Sequence, residues 1–294
     1  MALAVTLLAL VVVPVEAAHG ARLAESSPVA PAGRPAAGSG VSEPITVAQG
    51  VTCSGPDQRT VARLRAAIVA RRQAGTAITV HDLRTQTWCG YRETEMFVTA
   101  SIVKASTVAA LMWKRQKQGR SLSADERSWA ASAIRVSSNA AQTSLWNALG
   151  RGPEYLRFAR AIGMTSTTTD PGGRWGLTRT TTRDQVRFLD ELATGTTLTA
   201  ANRGHLLALM RSVTASQRWG VPRHAPSGDL VAVKNGWLPY GGSWRVNSIG
   251  YVTGAKGSTA TQHYTVAVLS TGSGSMSTGV ARVSAAARAA HDAL

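Results

Sequence analysis

The sequence predicts an α+β domain, because strand-like and helix-like patterns occupy separate parts of the chain. Two short strand-like runs and one helix pattern come first, and a long helical region follows them. Three consecutive strand-like runs and a closing helix end the chain. This order favours a five-stranded antiparallel sheet that uses both ends of the chain and carries the helical middle as an insertion. A hydrophobic content of 44% over 294 residues is sufficient for such a core.

The first elements lie between residues 60 and 92. The segment 60–75 predicts a helix that ends at a glycine. Its apolar face consists of Val61, Leu64, Ile68 and Val69. The runs "TAITVHDL" and "QTWCGYR" follow, and their β-branched and aromatic residues predict two strands separated by a turn.

The middle of the chain reads as a series of helices. One helix is predicted from Ser101 to about Gln118, and a capping box of Ser123 with Glu126 marks the start of the next. Further helical patterns cover about residues 140–149, 153–162, 182–193 and 200–211. The helical insertion is therefore predicted to be an all-α subdomain.

The last quarter of the chain changes to strand patterns. "DLVAVKNGW", "WRVNSIGYVTG" and "HYTVAVLSTG" are rich in β-branched residues and are bounded by glycine. They predict three consecutive antiparallel strands. The alanine-rich segment 279–294 predicts the final helix.

The N-terminal region predicts export. The apolar run from Ala2 to Val15 is short for a membrane span but fits the core of a signal peptide, which we place at residues 1–17. A short retained membrane anchor is the alternative. Residues 18–50 are rich in Ala, Pro, Gly and Ser and predict a flexible linker. The folded domain is then expected at residues 51–294, as a monomer that is secreted or associated with the cell wall, without a stable membrane anchor.

Charge and cysteine content narrow the function classes. The net charge of +16 favours anionic surroundings, but arginines are scattered and only 5% of residues are aromatic, so we expect no nucleic-acid partner. Cys53 and Cys89 are the two cysteines. In an exported domain they are expected to form one disulfide, with two buried free thiols as the alternative. No histidines lie at ligand spacing from them, so no metal site is predicted.

Ser101 and Lys104 in "VTASIVKAS" form the first candidate catalytic pair. If Ser101 opens a helix, Lys104 lies one turn later on the same face. The apolar neighbours of the pair indicate a buried helix, and burial lowers the pKa of a lysine toward that of a useful base. The sequence contains no G-x-S-x-G motif, and nothing among its six histidines indicates a Ser-His-Asp triad.

Two further motifs follow in order along the chain. "RVSSNAA" contains Ser137 and Asn139 at the start of a helix, and "AVKNGW" contains Lys234 and Gly236 on a strand. The ordered set S-x-x-K, S-x-N and K-x-G resembles the signature of the penicillin-recognising serine enzymes, which include class A β-lactamases and D-alanyl-D-alanine peptidases. The resemblance covers about residues 55–294. It implies a five-stranded antiparallel sheet flanked by helices with an inserted all-α subdomain, here trimmed.

The resemblance implies a role for each motif residue. Ser101 would be the acylated nucleophile, Lys104 its base and Ser137 a proton relay toward the leaving nitrogen. Lys234 would place positive charge near Ser137 and a substrate carboxylate. The expected substrate-binding residues are Asn139, Asn235, Gly236, Trp237 and Arg245. Of these, Asn139 would hold a substrate amide, Trp237 would share an oxyanion hole with the backbone of Ser101, and Arg245 is either a carboxylate ligand or a solvated strand residue.

The sequence also departs from the class A pattern. Asn235 stands where Thr or Ser is usual, and Trp237 replaces a small residue. The loop that carries a deacylating glutamate in class A β-lactamases reads "GMTSTTTDPGGRWGLTRTTTRD" here and contains none. Its acid before the following helix, Asp170, precedes a proline and is interpreted as a turn residue. Acylation is therefore better supported than rapid hydrolysis.

Three functions follow from this reading. The first is an exported serine hydrolase that resembles class A β-lactamases and opens a β-lactam or related amide or ester, as in antibiotic resistance. The second is a penicillin-binding D,D-peptidase acting on peptidoglycan stem peptides, and the third is a non-catalytic wall-binding or β-lactam-binding module. The partner in each case is a small molecule or a peptidoglycan fragment, and no metal or organic cofactor is implied.

Overall fold

The computed structural model describes residues 46–48, 50–254 and 262–294. The predicted signal peptide (residues 1–17) and the predicted linker up to residue 45 lie outside the described residues. The first strand, Thr46–Ala48, falls within the segment that composition assigned to the linker, so the sheet begins before residue 51. None of the helices in the described part of the chain is long and apolar enough to cross a membrane.

A mixed architecture of helices and an antiparallel sheet confirms the predicted fold class. The strands of the described residues are β1 (Thr46–Ala48), β2 (Val51–Ser54), β3 (Thr76–Asp82), β4 (Thr87–Tyr91), β5 (Phe97–Val98), β6 (Arg179–Thr180), β7 (Leu230–Tyr240), β8 (Ser243–Thr253) and β9 (His263–Ser270). The helices are α1 (Gln58–Arg71), α2 (Val103–Lys117), α3 (Ala124–Arg135), α4 (Asn139–Leu149), α5 (Arg151–Ala161), α6 (Thr182–Ala193), α7 (Ala200–Arg211) and α8 (Met276–Ala293).

The main sheet has the order β1-β2-β4-β3-β9-β8-β7, and every neighbouring pair is antiparallel. The five strands predicted from the sequence are the contiguous set β4-β3-β9-β8-β7. Strands β1 and β2 extend the sheet beyond β4, and they were not predicted because runs of three and four residues carry little periodicity. Strands β5 and β6 form a separate short pair.

The disulfide prediction is confirmed. Cys53 on β2 lies directly opposite Cys89 on β4, with 4.1 Å between the two Cα atoms, and the sulfurs are bonded. The bond ties the short β2 to the central part of the sheet. Both cysteines are buried under α1 in the core.

Helices cover both faces of the sheet. On β9, the side chain of Tyr264 contacts His291 of α8, whereas that of the next residue, Thr265, donates to Asp190 of α6. Since consecutive strand residues point to opposite faces, α8 and α6 lie on opposite sides. Helix α1 packs against α8.

The remaining helices form the predicted all-α subdomain around α2. Residues 103–112 of α2 are all buried, and α3, α4, α5 and α7 pack against this helix. The predicted capping box is present at the start of α3, where Ser123 and Glu126 bond reciprocally. The turn of residues 100–102, which precedes α2, meets the edge strand β7, so the first and third motifs lie together.

Candidate active site

Ser101 lies in a tight turn between β5 and α2. The 3₁₀ turn Ala100–Ile102 leads directly into α2, and Ala100 adopts a positive φ of 48°, which is uncommon for a residue with a side chain. The buried Asn247 of β8 fixes the approach, because its amide donates to the carbonyls of Val98 (2.9 Å) and Thr99 (3.0 Å). Ser101 is therefore held half-buried at the start of a long buried helix.

Lys104 lies one helical turn after Ser101 and is completely buried. Its Nζ donates to the carbonyl of Ser137 (2.5 Å), to Ser137 Oγ (3.1 Å) and to Asn139 Oδ1 (2.8 Å). Among the described residues, no carboxylate forms an ion pair with it. Burial without a countercharge lowers the pKa of Lys104 to about 8.

Ser137 connects the two motif lysines. It has a φ of 58°, in the left-handed region, and its Oγ accepts from Lys104 Nζ and from Lys234 Nζ, each at 3.1 Å. A non-glycine residue in this conformation is strained by about 1–3 kcal/mol unless its surroundings hold it. Here hydrogen bonds from two buried lysines hold the hydroxyl in place.

Lys234 approaches the same hydroxyl from β7. It is completely buried, and its Nζ also donates to the carbonyl of Asn235 (2.8 Å). Burial, and then the positive charge of Lys104, lower the pKa of Lys234 to about 7. Two lysines with lowered pKa values thus converge on one serine hydroxyl. A negatively charged group would therefore stabilise this cluster.

Gly236 brings β7 against the turn that carries Ser101. A Cβ atom at this position would lie 2.7 Å from the backbone N of Ser101 and 2.8 Å from that of Ile102. No side chain fits such a gap, so glycine allows the strand edge and the N–H groups at the start of α2 to approach closely. The K-x-G spacing is therefore required by packing at this junction.

Asn235, which the resemblance places among the substrate-binding residues, directs its side chain into the protein. Its side chain is buried and donates to the carbonyls of Gln217 (2.7 Å) and Trp219 (2.8 Å). Both amide hydrogens are therefore used within the protein. The physical reason is that successive residues of a strand point to opposite faces of the sheet, so Asn235 lies on the other face from its neighbours Lys234 and Gly236.

Trp237 and Arg245 lie at the margin of the cluster. The Trp237 ring packs at 6.0 Å from that of Trp219. Arg245 lies on β8, opposite Leu238 of β7. Its guanidinium donates to the carbonyl (3.2 Å) and Oγ (2.5 Å) of Ser243 and lies over the Tyr240 ring. Among the described residues, it makes no hydrogen bond to the motif residues.

Ser101 and Lys104 are neighbours, but no hydrogen bond joins them. In the described residues, Ser101 Oγ has no hydrogen-bond partner, and Lys104 directs its three donors to Ser137 and Asn139. This is the arrangement expected of a charged lysine. A neutral Lys104 would have a lone pair and one donor fewer, and the lone pair could then accept the Ser101 proton.

The segment between α5 and α6, which contains no glutamate, places an indole beside Lys104. Trp175 lies with its ring centroid 5.1 Å from Lys104 Nζ, and its Nε1 donates to Thr143 Oγ1 of α4 at 3.2 Å. Asp170 points elsewhere, since its carboxylate accepts from the backbone N (3.2 Å), Nε (2.9 Å) and Nη2 (3.0 Å) of Arg174. The hydrogen bonds to Arg174 lower the pKa of Asp170 and support its interpretation as a turn residue.

The Trp175 indole also lines a cavity of about 420 Å³. Trp146, Trp175, Leu177 and Leu238 supply apolar lining, with Arg151 and Arg174 among its polar residues. In the described residues, no group of three or more His, Cys, Asp or Glu side chains is arranged to hold a metal ion.

Sequence reasoning missed Trp175, Thr143 and Asn247. A tryptophan in a glycine-rich loop was the available signal for Trp175, and an asparagine within a buried strand was the signal for Asn247. Their contacts span 32 to 149 positions of the chain, so local patterns could not assign partners to them.

Comparison with known families identifies relatives of the chain. A model of the family described as "Beta-lactamase enzyme family" matches residues 112–294. This range includes the second and third motifs and begins after Ser101 and Lys104. A protein provisionally named lipoprotein LppW, from Mycobacterium tuberculosis and from Mycobacterium bovis, is 26% identical over 187 residues. That match covers 61% of this chain and 59% of the relative, so the chain spans well under two thirds of the curated relatives it matches.

Several solved structures with the same fold are described as β-lactamases, and some of these as class A β-lactamases. A class A β-lactamase from Bacteroides cellulosilyticus superposes with a TM-score of 0.66 at 15% identity, covering 81% of this chain and 98% of that one. An ancestral class A β-lactamase gives 0.65 at 21% identity, with 80% and 100% covered. A β-lactamase from Burkholderia vietnamiensis gives 0.64 at 19%, with 78% and 94% covered. At these identities the likeness establishes the fold alone.

Proposed function

Because the chain belongs to the β-lactamase enzyme family, we propose that it is an exported serine hydrolase that forms an acyl-enzyme at Ser101 with a β-lactam or a related amide or ester. The observation that carries the proposal is the convergence of two buried lysines on Ser137 Oγ, one of which, Lys104, lies one helical turn after Ser101. Lysines buried without a countercharge are expected where a neutral amine must act as a base near neutral pH.

In the proposed acylation, Ser101 Oγ attacks the substrate carbonyl carbon and its proton passes to the neutral amine of Lys104. The carbon–nitrogen bond of the amide then breaks. The leaving nitrogen receives a proton through the Ser137 hydroxyl, which is bonded to both lysines. The backbone N–H groups of Ser101 and Trp237 would hold the oxyanion, as the close approach at Gly236 supports.

Substrate binding would use the remaining motif residues. Lys234 supplies a positive charge for a substrate carboxylate, and Asn139, which is exposed, accepts from Lys104 through Oδ1 and keeps its Nδ2 for a substrate carbonyl. Arg245 is a second candidate for the carboxylate. Asn235 is left out of the proposed site, because its amide hydrogens are bonded inside the protein.

Release of the acyl group is the slow part of the proposed reaction. Activation of water against an ester requires a base beside the acyl carbon. Among the described residues, an indole lies over Lys104 and no carboxylate forms an ion pair with it. We therefore propose that the acyl-enzyme persists, which also makes a D,D-peptidase acting on peptidoglycan stem peptides the second candidate function.

Export and a location at the cell wall are part of the same proposal. The disulfide favours an oxidising compartment, and the relatives described as lipoproteins are compatible with export. A net charge of +16 would retain the protein near anionic wall polymers.

The test is to follow the intact mass of the purified chain with benzylpenicillin, with a chromogenic cephalosporin and with a peptide ending in D-Ala-D-Ala. A persistent penicillin adduct that maps to Ser101 and is absent in Ser101→Ala supports the proposal. Fast cephalosporin turnover without a lasting adduct would contradict slow release. Cleavage of the peptide would favour the peptidase. Unchanged mass and no turnover with all three would favour a non-catalytic module.

A further inference from the structure

Lys104 is enclosed by a small set of groups. Ser137 and Asn139 at the start of α4 accept its three hydrogen bonds, Lys234 of β7 shares Ser137 Oγ, and Trp175 covers it with an aromatic face. Among the described residues that hydrogen-bond or stack on this cluster, Lys234 is the charged one. The indole thus lies against a lysine that the proposed reaction needs as a base.

Trp175 is fixed in this position from two directions. Its Nε1 donates to Thr143 Oγ1, and Thr143 Oγ1 donates to the carbonyl of Asn139 (3.1 Å), whose side chain accepts from Lys104. These contacts close a ring from the indole through α4 back to the lysine. Three hydrogen bonds from Arg174 to Asp170 fix the backbone just before Trp175.

The end of the loop is attached to the turn that carries the nucleophile. The carbonyl of Thr178 accepts from the backbone N of Thr99 at 2.8 Å, two residues before Ser101. The N–H of Thr178 donates to the carbonyl of Trp175 at 3.2 Å. The indole and Ser101 therefore belong to one connected piece of structure, and the ring holds a defined place relative to the nucleophile.

The indole contacts Lys104 and also borders space that water can fill. Trp175 lines the cavity of about 420 Å³ described above, and Lys104 does not. Replacing the indole by a small side chain would connect that cavity with the Nζ atom of Lys104. The removed ring would leave room for several water molecules.

We propose that Trp175 is a positioning residue that keeps water away from Lys104 and thereby sets how long an acyl group stays on Ser101. Hydrolysis needs a water whose oxygen attacks the acyl carbonyl carbon while one of its protons passes to neutral Lys104. The bond from that carbon to Ser101 Oγ then breaks, and Oγ takes a proton from the lysine. With the indole in place, water reaches the lysine rarely and the ester persists.

One readout of this inference, the lifetime of the benzylpenicillin adduct, rests on the proposed acyl-Ser101 chemistry. A second readout does not depend on that chemistry. The independent readout is the rate at which acetic anhydride labels Lys104 at pH 8, mapped by peptide mass. Trp175→Ala should raise this rate at least tenfold, whereas Trp175→Phe, which keeps a ring, should stay within threefold of the unsubstituted chain. The lifetime of the benzylpenicillin adduct should fall at least tenfold in Trp175→Ala.

A matched control is available in the same subdomain. Trp113 carries the other lysine–tryptophan contact of the described residues, with Lys117 Nζ 4.5 Å from its ring centroid, and it does not contact Ser101 or Lys104. Trp113→Ala should leave Lys104 labelling and the adduct lifetime unchanged. A change equal to that of Trp175→Ala would assign the effect to general loosening and overturn the proposal.

Further outcomes complete the test. If Trp175→Ala does not fold, Thr143→Val removes the indole hydrogen bond with little change of shape and should raise Lys104 labelling about threefold. If the unsubstituted chain is not acylated by benzylpenicillin, the proposed function fails for this reagent while labelling still decides the role of Trp175. Unchanged labelling in both Trp175→Ala and Thr143→Val would overturn the inference.

Discussion

The rate of acylation should rise with pH through the pKa of Lys104. Burial lowers this pKa from 10.5 to about 8, so the neutral amine makes up about one tenth of the molecules at pH 7 and about nine tenths at pH 9. If neutral Lys104 takes the Ser101 proton, the maximal acylation rate should increase about tenfold across this range. A lysine with its ordinary pKa would be neutral in fewer than about one molecule in a thousand at pH 7.

The second lysine, Lys234, should weaken substrate binding as the pH rises, and this effect can be measured separately from the acylation rate. Lys234, with a pKa lowered to about 7, loses its positive charge as the pH rises above that value. Binding of a substrate carboxylate should then weaken, so the half-saturating concentration should increase while the maximal rate also increases. An ester substrate without a carboxylate should show the rise in rate without the loss of affinity.

The assay is single-turnover adduct formation with benzylpenicillin, followed by intact mass at several concentrations from pH 6 to pH 9.5. Lys104→Arg is the matched variant, because a guanidinium remains charged throughout this range and cannot take the proton. It should acylate more than a hundredfold more slowly at every pH. A maximal rate that does not change between pH 7 and pH 9, or a Lys104→Arg variant that acylates normally, would refute the role of Lys104 as the base.

The same pKa shifts predict the pH dependence of stability. The folded-state pKa of Lys104 lies below that of the unfolded chain, so between pH 8 and 10.5 the unfolded state binds more protons. This lysine therefore lowers the free energy of unfolding by about 3 kcal/mol below pH 8, and the effect is relieved as the pH rises through this window. Near neutral pH the protein thus keeps a buried charge on Lys104 that lowers its free energy of unfolding.

Three further predictions concern packing and cross-linking. Gly236→Ala should reduce acylation about a hundredfold, because its Cβ would lie 2.7 Å from the backbone N of Ser101; a normal rate would show that the strand moves freely. Replacing Cys53 and Cys89 by alanine should lower the free energy of unfolding in urea by about 4 kcal/mol, since the bond closes a loop with a sequence separation of 36. Asn235→Ala should lose about 2–3 kcal/mol of stability, because two backbone carbonyls lose their donors. The affinity for a carboxylate substrate should stay unchanged. Weaker binding by this variant would show that Asn235 does bind the substrate.

Much of the fold could be predicted from periodicity, because its strongest signals are local. The strands β7, β8 and β9 are long and flanked by glycines, and the capping box of α3 is formed by residues three positions apart. The short β1 and β2 were not predicted from the sequence, since their place in the sheet depends on the partner strand β4 and on the Cys53–Cys89 bond.

The sequence by itself determined the order of the elements, the three motifs and the absence of a glutamate from the loop before α6. Residue type and spacing are sufficient for these conclusions, because helix and strand periods and motif spacing are properties of neighbouring residues. Only the tertiary structure decided that Lys104 and Lys234 share the Ser137 hydroxyl, that Asn235 points into the protein and that Trp175 covers the base. These contacts join distant parts of the chain. They arise from the packing of α4, β7 and the loop before α6 against α2, which no local pattern specifies.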